Sequence, residues 1–174
     1  MPKGDDGFSL IELLIVVAII LIIAAIAIPN LIRAKIAANE ASATNSIRSI
    51  NTAEFAYNST YSNSGFALAL GNLGGAAPCT PTAAAACLLD NVLSTATAGS
   101  NGKSGYIFAA TGIPPVVGTS IRSFVTGASP INYNITGVRN FCSSEDGVIR
   151  FDPGSSGSLP VKTQAACQAF ISMQ

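Results

Sequence analysis

The chain contains no histidine and no tryptophan. Lacking histidine, it lacks the commonest general base and the commonest neutral metal ligand, which weakens any enzymatic reading. Charge is also scarce: Asp, Glu, Lys and Arg make up 10% of the residues, against about a quarter in an average protein. Acidic and basic residues balance to a formal net charge of zero. No basic excess points to nucleic acid, and no acidic run points to a solvating tail. There is no phosphate-binding loop and no GxSxG, so the many serines and threonines have no motif that would activate one. Glu145, Asp146 and Asp152 lie near one another but lack the alternating Asp/Asn pattern of a calcium loop, and they read as an acidic turn. Asn58-Ser59-Thr60 and Asn134-Ile135-Thr136 fit the N-x-S/T sequon, a pattern short enough to arise by chance. No cofactor and no metal is expected.

The cysteines are Cys79, Cys87, Cys142 and Cys167. None forms a CxxC pair, and no histidine is present to complete a zinc site. An even number in a chain with an export-type N-terminus reads as disulfides. Three pairings are possible. Cys79–Cys87 with Cys142–Cys167 is preferred, because each bond closes a local loop. The alternative, buried free thiols in a cytosolic protein, conflicts with the membrane segment described next.

The 174 residues suffice for one domain. Apolar residues run almost unbroken from Phe8 to Ile28, interrupted by Ser9 and Glu12 and ended by Pro29. As a helix this run spans ~31 Å, one bilayer core. A cleaved secretory signal fits poorly, although Ala25-Ile26-Ala27 resembles a signal-peptidase site. The run is long, it contains Glu12, and Asp5 and Asp6 oppose Lys3 in the leading segment. An ordinary membrane anchor has no use for Glu12, since an ionised carboxylate in an apolar helix calls for a partner. A subunit that polymerises does. If the chain is cut before Phe8, the new amine is a cation available to the Glu12 carboxylate of a neighbouring copy.

Gly7-Phe8-Ser9-Leu10-Ile11-Glu12-Leu13-Leu14-Ile15-Val16-Val17-Ala18-Ile19-Ile20, followed by Ala24-Ala25-Ile26-Ala27-Ile28-Pro29-Asn30, resembles the N-terminal signature of type IV pilins and type II secretion pseudopilins. The resemblance implies cleavage after Gly7 by a prepilin peptidase that also methylates Phe8. It implies a Phe8 amine–Glu12 carboxylate pair between subunits, and a helical homo-oligomeric filament with the apolar helices at its core. The expected partners are that peptidase/methyltransferase and an inner-membrane assembly machinery with a cytoplasmic ATPase. The expected locations are the bacterial inner membrane for the precursor, then an extracellular pilus or a periplasmic pseudopilus. Two departures stand out. Asp5 and Asp6 occupy a leader that is usually basic, and Leu21 stands where many pilins have glycine. Melting of the helix is therefore expected to concentrate near Pro29, which removes a hydrogen bond and bends the helix.

Helical periodicity resumes after Pro29. Ile32, Ile36, Ala43, Ile47, Ile50 and Tyr57 form an apolar stripe, with Arg33, Lys35, Asn39, Glu40 and Asn45 mostly off it. The expected fold is α+β: a long N-terminal helix, bent near Pro29, packed against a C-terminal antiparallel sheet head. The expected divisions are a leader at 1–7, a transmembrane and filament-core helix at 8–29 and an amphipathic half at 30–57. A variable connector at 58–104 and the head at 105–174 follow, with a short helix at 88–93 in the connector. Strands are expected at 106–110, 123–126, 138–142 and 148–151, with a turn around Glu145-Asp146-Gly147. Gly105-Tyr106-Ile107-Phe108, Thr136 to Cys142 and Gly147 to Arg150 are similar to the head-sheet pattern of some Gram-negative pilins, in which a disulfide such as Cys142–Cys167 ties the C-terminal tail to the sheet. Phe8, Phe55, Tyr57 and Tyr61 read as a core and a cap, without the stacked path that electron conduction needs.

Overall fold

A computed structural model describes residues 9–114 and 120–173. The protein is α+β: a long N-terminal helix followed by a five-stranded antiparallel sheet. It divides into two compact units, Met1–Lys35 and Ile36–Gln174. Helix α1, Leu10–Thr60, passes from the first unit into the second and carries Pro29 inside it. Without an N–H, Pro29 leaves the Ala25 carbonyl lacking its usual donor one turn on.

In the second unit α1 is amphipathic. Ala43, Ile47, Ile50 and Tyr57 are buried in one core with Leu73, Tyr106, Phe108 and Phe141. The buried face of α1 starts at Glu40 rather than at Ile32, which is 48% exposed. Glu40 itself departs from the expected polar face. It is buried because four donors meet its carboxylate: the Val138 and Arg139 amides at 3.0 and 3.2 Å, and the Arg139 guanidinium at 2.8 and 2.6 Å. Such pairing offsets the cost of burying a charge.

The sheet is a meander of β1 (Tyr106–Ile113), β2 (Ser123–Pro130), β3 (Asn140–Ser144), β4 (Arg150–Asp152) and β5 (Ile171–Ser172). Its first two strands run longer than the apolar segments suggest. Within β2, glycine at 127 leaves room for the Val161 backbone, which crosses where a Cβ would sit. Strand β3 starts at Asn140 rather than Val138, since the Val138 and Arg139 amides are spent on Glu40. Strand β4 starts at Arg150 because the Val148 amide donates to Asp146. Two-residue β5, too short to carry a pattern, pairs with β4.

Side chains on one sheet face meet α1, and those on the other meet the C-terminal segment. Thr126 and Ser143 face the helix, where the Asn51 amide donates to Ser143 Oγ and the Thr126 hydroxyl donates to Asn51 Oδ1, both at 2.8 Å. On the opposite face Val125 and Cys142 pack with Cys167 of α4, Gln164–Gln168. The connector holds two short helices, α2 (Leu70–Leu73) and α3 (Asn91–Ser94). The latter begins later than the expected 88–93 because Asp90 caps it, accepting the Leu93 amide at 2.9 Å.

Candidate functional site

The N-terminal part of α1 is where sequence and structure both place unusual chemistry. Every apolar side chain from Leu10 to Val17 is at least 45% exposed, as are Ile19 to Ile23, Ile26 and Ile28. A water-soluble surface does not carry such a continuous apolar face. The helix is long and apolar enough to cross a membrane.

Gly7 and Phe8 lie outside the described residues. Ser9 stands just before the first helical residue, and Glu12 is the third residue inside. Glu12 Oε2 accepts the Ser9 N–H at 3.0 Å. This is one half of a capping box, in which a glutamate satisfies an amide that the helix start leaves without a partner. Ser9-Leu10-Ile11-Glu12 is the S-x-x-E pattern that marks such a start, a second role for Glu12 that its apolar surroundings obscure in the sequence. The other oxygen, Oε1, makes no hydrogen bond, and no cation pairs with Glu12, among the described residues. Among the described residues, one acceptor of Glu12 is engaged within the chain.

Residues 2–28 match the family model of the prokaryotic N-terminal methylation motif. The chain carries a type IV pilin-like prepilin signature. The matched stretch includes Gly7, Phe8 and Glu12, and it ends at the last residue before Pro29. The signature marks a pilin-like or pseudopilin substrate of a prepilin peptidase, and it accords with a membrane-anchored precursor. No curated protein and no solved structure matches the chain.

The remaining candidate residues belong to the second unit, Ile36–Gln174. Cys79 is bonded to Cys87 and Cys142 to Cys167, with Cα separations of 6.0 and 5.7 Å. The first bond closes a connector loop, and the second pins α4 to β3 in the interior. Asp146 is occupied by Arg150, by Ser144 Oγ and by the Val148 amide. The Arg150 hydrogen bond holds its carboxyl below the usual range, against some burial. Glu145 accepts from Gln164, and among the described residues no group of three acidic, histidine or cysteine side chains could hold a metal. Phe55, Phe66 and Phe124 form one aromatic cluster, and Tyr57 and Tyr61 a separate pair.

One buried acid escaped the sequence reading. Glu54 is wholly enclosed. One of its oxygens accepts the Ala67 amide at 2.8 Å, and the other has no partner among the described residues. Burial pushes its carboxyl up to about 7, partly offset by the Ala67 hydrogen bond. Glu54 lies well beyond the apolar run that ends at Pro29.

Proposed function

We propose that the chain is a structural subunit, a major pilin, of a type IV pilus. Cleavage after Gly7 and methylation of Phe8 by the prepilin peptidase generate the mature N-terminus. Residues 1–7 act as the leader, 8–29 as the membrane and then filament-core helix, 30–57 as its amphipathic half, 58–104 as the connector and 105–174 as the head. The precursor resides in the bacterial inner membrane, and the assembled filament lies outside the cell. The subunit catalyses nothing. A cytoplasmic ATPase in the assembly machinery supplies the work.

The observation that carries this reading is Glu12. It is a carboxylate with one oxygen unengaged among the described residues, at the start of an exposed apolar helix and inside a matched methylation motif. Removed from water among packed helices, that oxygen calls for a cation, and the Phe8 amine of an adjacent copy is one of the right charge. Apolar burial between helices supplies the bulk of the attraction, and the charge pair sets register.

The test is Glu12→Ala. Surface filaments should be lost or sharply reduced while the head stays folded, because Glu12 lies outside the head. Normal filaments from this variant would refute the role given to Glu12. Pseudopilins and minor pilins share the methylation motif, so gene deletion with assays for both surface filaments and protein secretion separates those readings. Mass spectrometry of the mature chain should show N-methylated Phe8. A retained Met1–Gly7 would instead indicate an anchored monomer.

A further inference from the structure

The two disulfides sit in opposite surroundings. Cys142 and Cys167 are fully buried, with Val125, Ile113, Val161 and Phe170 packed around them. Cys79 is exposed, within a run, 76–84, that is exposed at every position. Its partner Cys87 is partly buried.

The two ends of the Cys79–Cys87 loop are also held differently. The Cys87 end is fixed by backbone hydrogen bonds. Ala86 N–H donates to the Asn72 carbonyl at 2.8 Å, Cys87 N–H to that of Gly74 at 3.0 Å, and Leu88 N–H to that of Leu73 at 2.8 Å. Just before it, the Tyr57 hydroxyl donates to the Ala83 carbonyl at 2.7 Å, and Thr82 and Ala85 exchange backbone hydrogen bonds. Residues 75–81, by contrast, make no hydrogen bond among the described residues. Gly75 packs so closely on Cys79 Sγ that a Cβ there would collide with the sulfur. The covalent bond is therefore what holds 75–81 against the head.

We propose that Cys79–Cys87 is a thiol–disulfide exchange site whose reactant is a dithiol, such as that of a thiol–disulfide oxidoreductase, and that opening it frees residues 75–81 while the head stays folded. Access decides which bond and which sulfur a thiolate attacks. Cys79 offers the exposed sulfur, on the segment without hydrogen bonds, and Cys87 is the leaving group on the anchored side. The first thiolate bonds to Cys79 Sγ. Cys87 Sγ leaves with the electron pair of the broken bond and takes a proton. The second thiol of the reactant, as its thiolate, then displaces Cys79 Sγ, which is protonated in turn. The connector gains two electrons and two protons, and the dithiol departs as a disulfide. The hydrogen bonds of Thr82, Ala83 and Ala85 to Leu88 do not depend on the bond, so the change is confined to a short stretch of uncharged residues. The reverse reaction closes the loop, so the thiol–disulfide balance of the surroundings sets the state of the connector. The exchange needs nothing from the N-terminal segment, so it and the filament reading can fail separately.

The experiment uses the full chain in detergent micelles. Dithiothreitol is added at neutral pH, and the thiols are alkylated at intervals and assigned by mass spectrometry. Cys79–Cys87 should open at least about tenfold faster than Cys142–Cys167. Equal rates would overturn the proposal. In the chain reduced at the first bond alone, a broad-specificity protease should cut within 75–81 at least about tenfold faster than in the oxidised chain. The Ala86, Cys87 and Leu88 amides should stay at least about tenfold slower to exchange than in an unfolded chain. Unchanged cleavage, or loss of that protection, would show the bond to be a structural staple and overturn the proposal. A thioredoxin lacking its resolving cysteine should be trapped as a mixed disulfide on Cys79. A trap on Cys87, or none, would overturn the assignment.

Discussion

Replacing Glu54 by glutamine removes an ionisable group from the interior of the head. In the unfolded chain this carboxyl titrates at its ordinary 4.5, and in the folded head at about 7. The folded state therefore holds the proton more tightly. Below pH 4.5 both states are protonated and Glu54 carries no penalty. As pH rises from there to about 7, the unfolded chain ionises first and stability falls. Above about 7 the loss is complete, and the difference corresponds to about 3 kcal/mol. Asp146 acts in the opposite direction and in a different window. Its carboxyl is held low by the Arg150 hydrogen bond, so it weakens the fold only as pH falls below 3.8. Glutamine keeps an acceptor for the Ala67 amide, but its NH2 takes the place of the oxygen that has no partner. That costs about 1 kcal/mol at every pH. The variant should thus be about 2 kcal/mol more stable than the parent at about pH 8, and about 1 kcal/mol less stable near pH 4.5. Urea unfolding of residues 36–174, the second compact unit, measures both. A parent and variant that lose stability in parallel between those two pH values would refute the reasoning.

Glu40→Ala should cost the head about 3 kcal/mol in the same assay, because it strands two amides and a partly buried guanidinium; a loss near zero would mean that water replaces the carboxylate at no cost. Replacing Cys142 and Cys167 together by serine should lower stability by about 3.5 kcal/mol, against about 2.5 kcal/mol for the Cys79–Cys87 pair, as expected from loops of 25 and 8 residues. The first should also expose α4 to proteolysis and the second should not.

The overall division of the chain was legible because its periodicities are long. The apolar run and the stripe through Ala43, Ile47, Ile50 and Tyr57 specify a helix with a buried face, and β-branched and aromatic residues mark four of the five strands. The burial of single acidic side chains was not legible, because each is decided by a partner distant in sequence. Nothing local distinguishes Glu40 or Glu54, which are buried, from Asn45, which is exposed. The first meets Arg139 and the second meets Ala67, residues 99 and 13 positions away. The Ser9–Glu12 cap is written in the sequence as S-x-x-E, but a carboxylate in an apolar run calls for a cation outside the chain as strongly as for the amide three residues before it.

The polar contacts beneath the sheet have a mechanical consequence. Glu40 on the Val138–Arg139 turn, Asn51 on Thr126 and Ser143, and Glu54 on Ala67 fasten α1 to two parts of the head and to the connector. An apolar stripe alone resists sliding weakly, since a shift of one turn, about 5.4 Å, replaces one aliphatic contact with another. With the three polar contacts in place, the same shift would part all of them at once and leave each group buried without a partner. Tension applied along α1 would therefore meet a stepwise barrier rather than a smooth glide. The head should hold its place on the helix until it unfolds, instead of creeping along it.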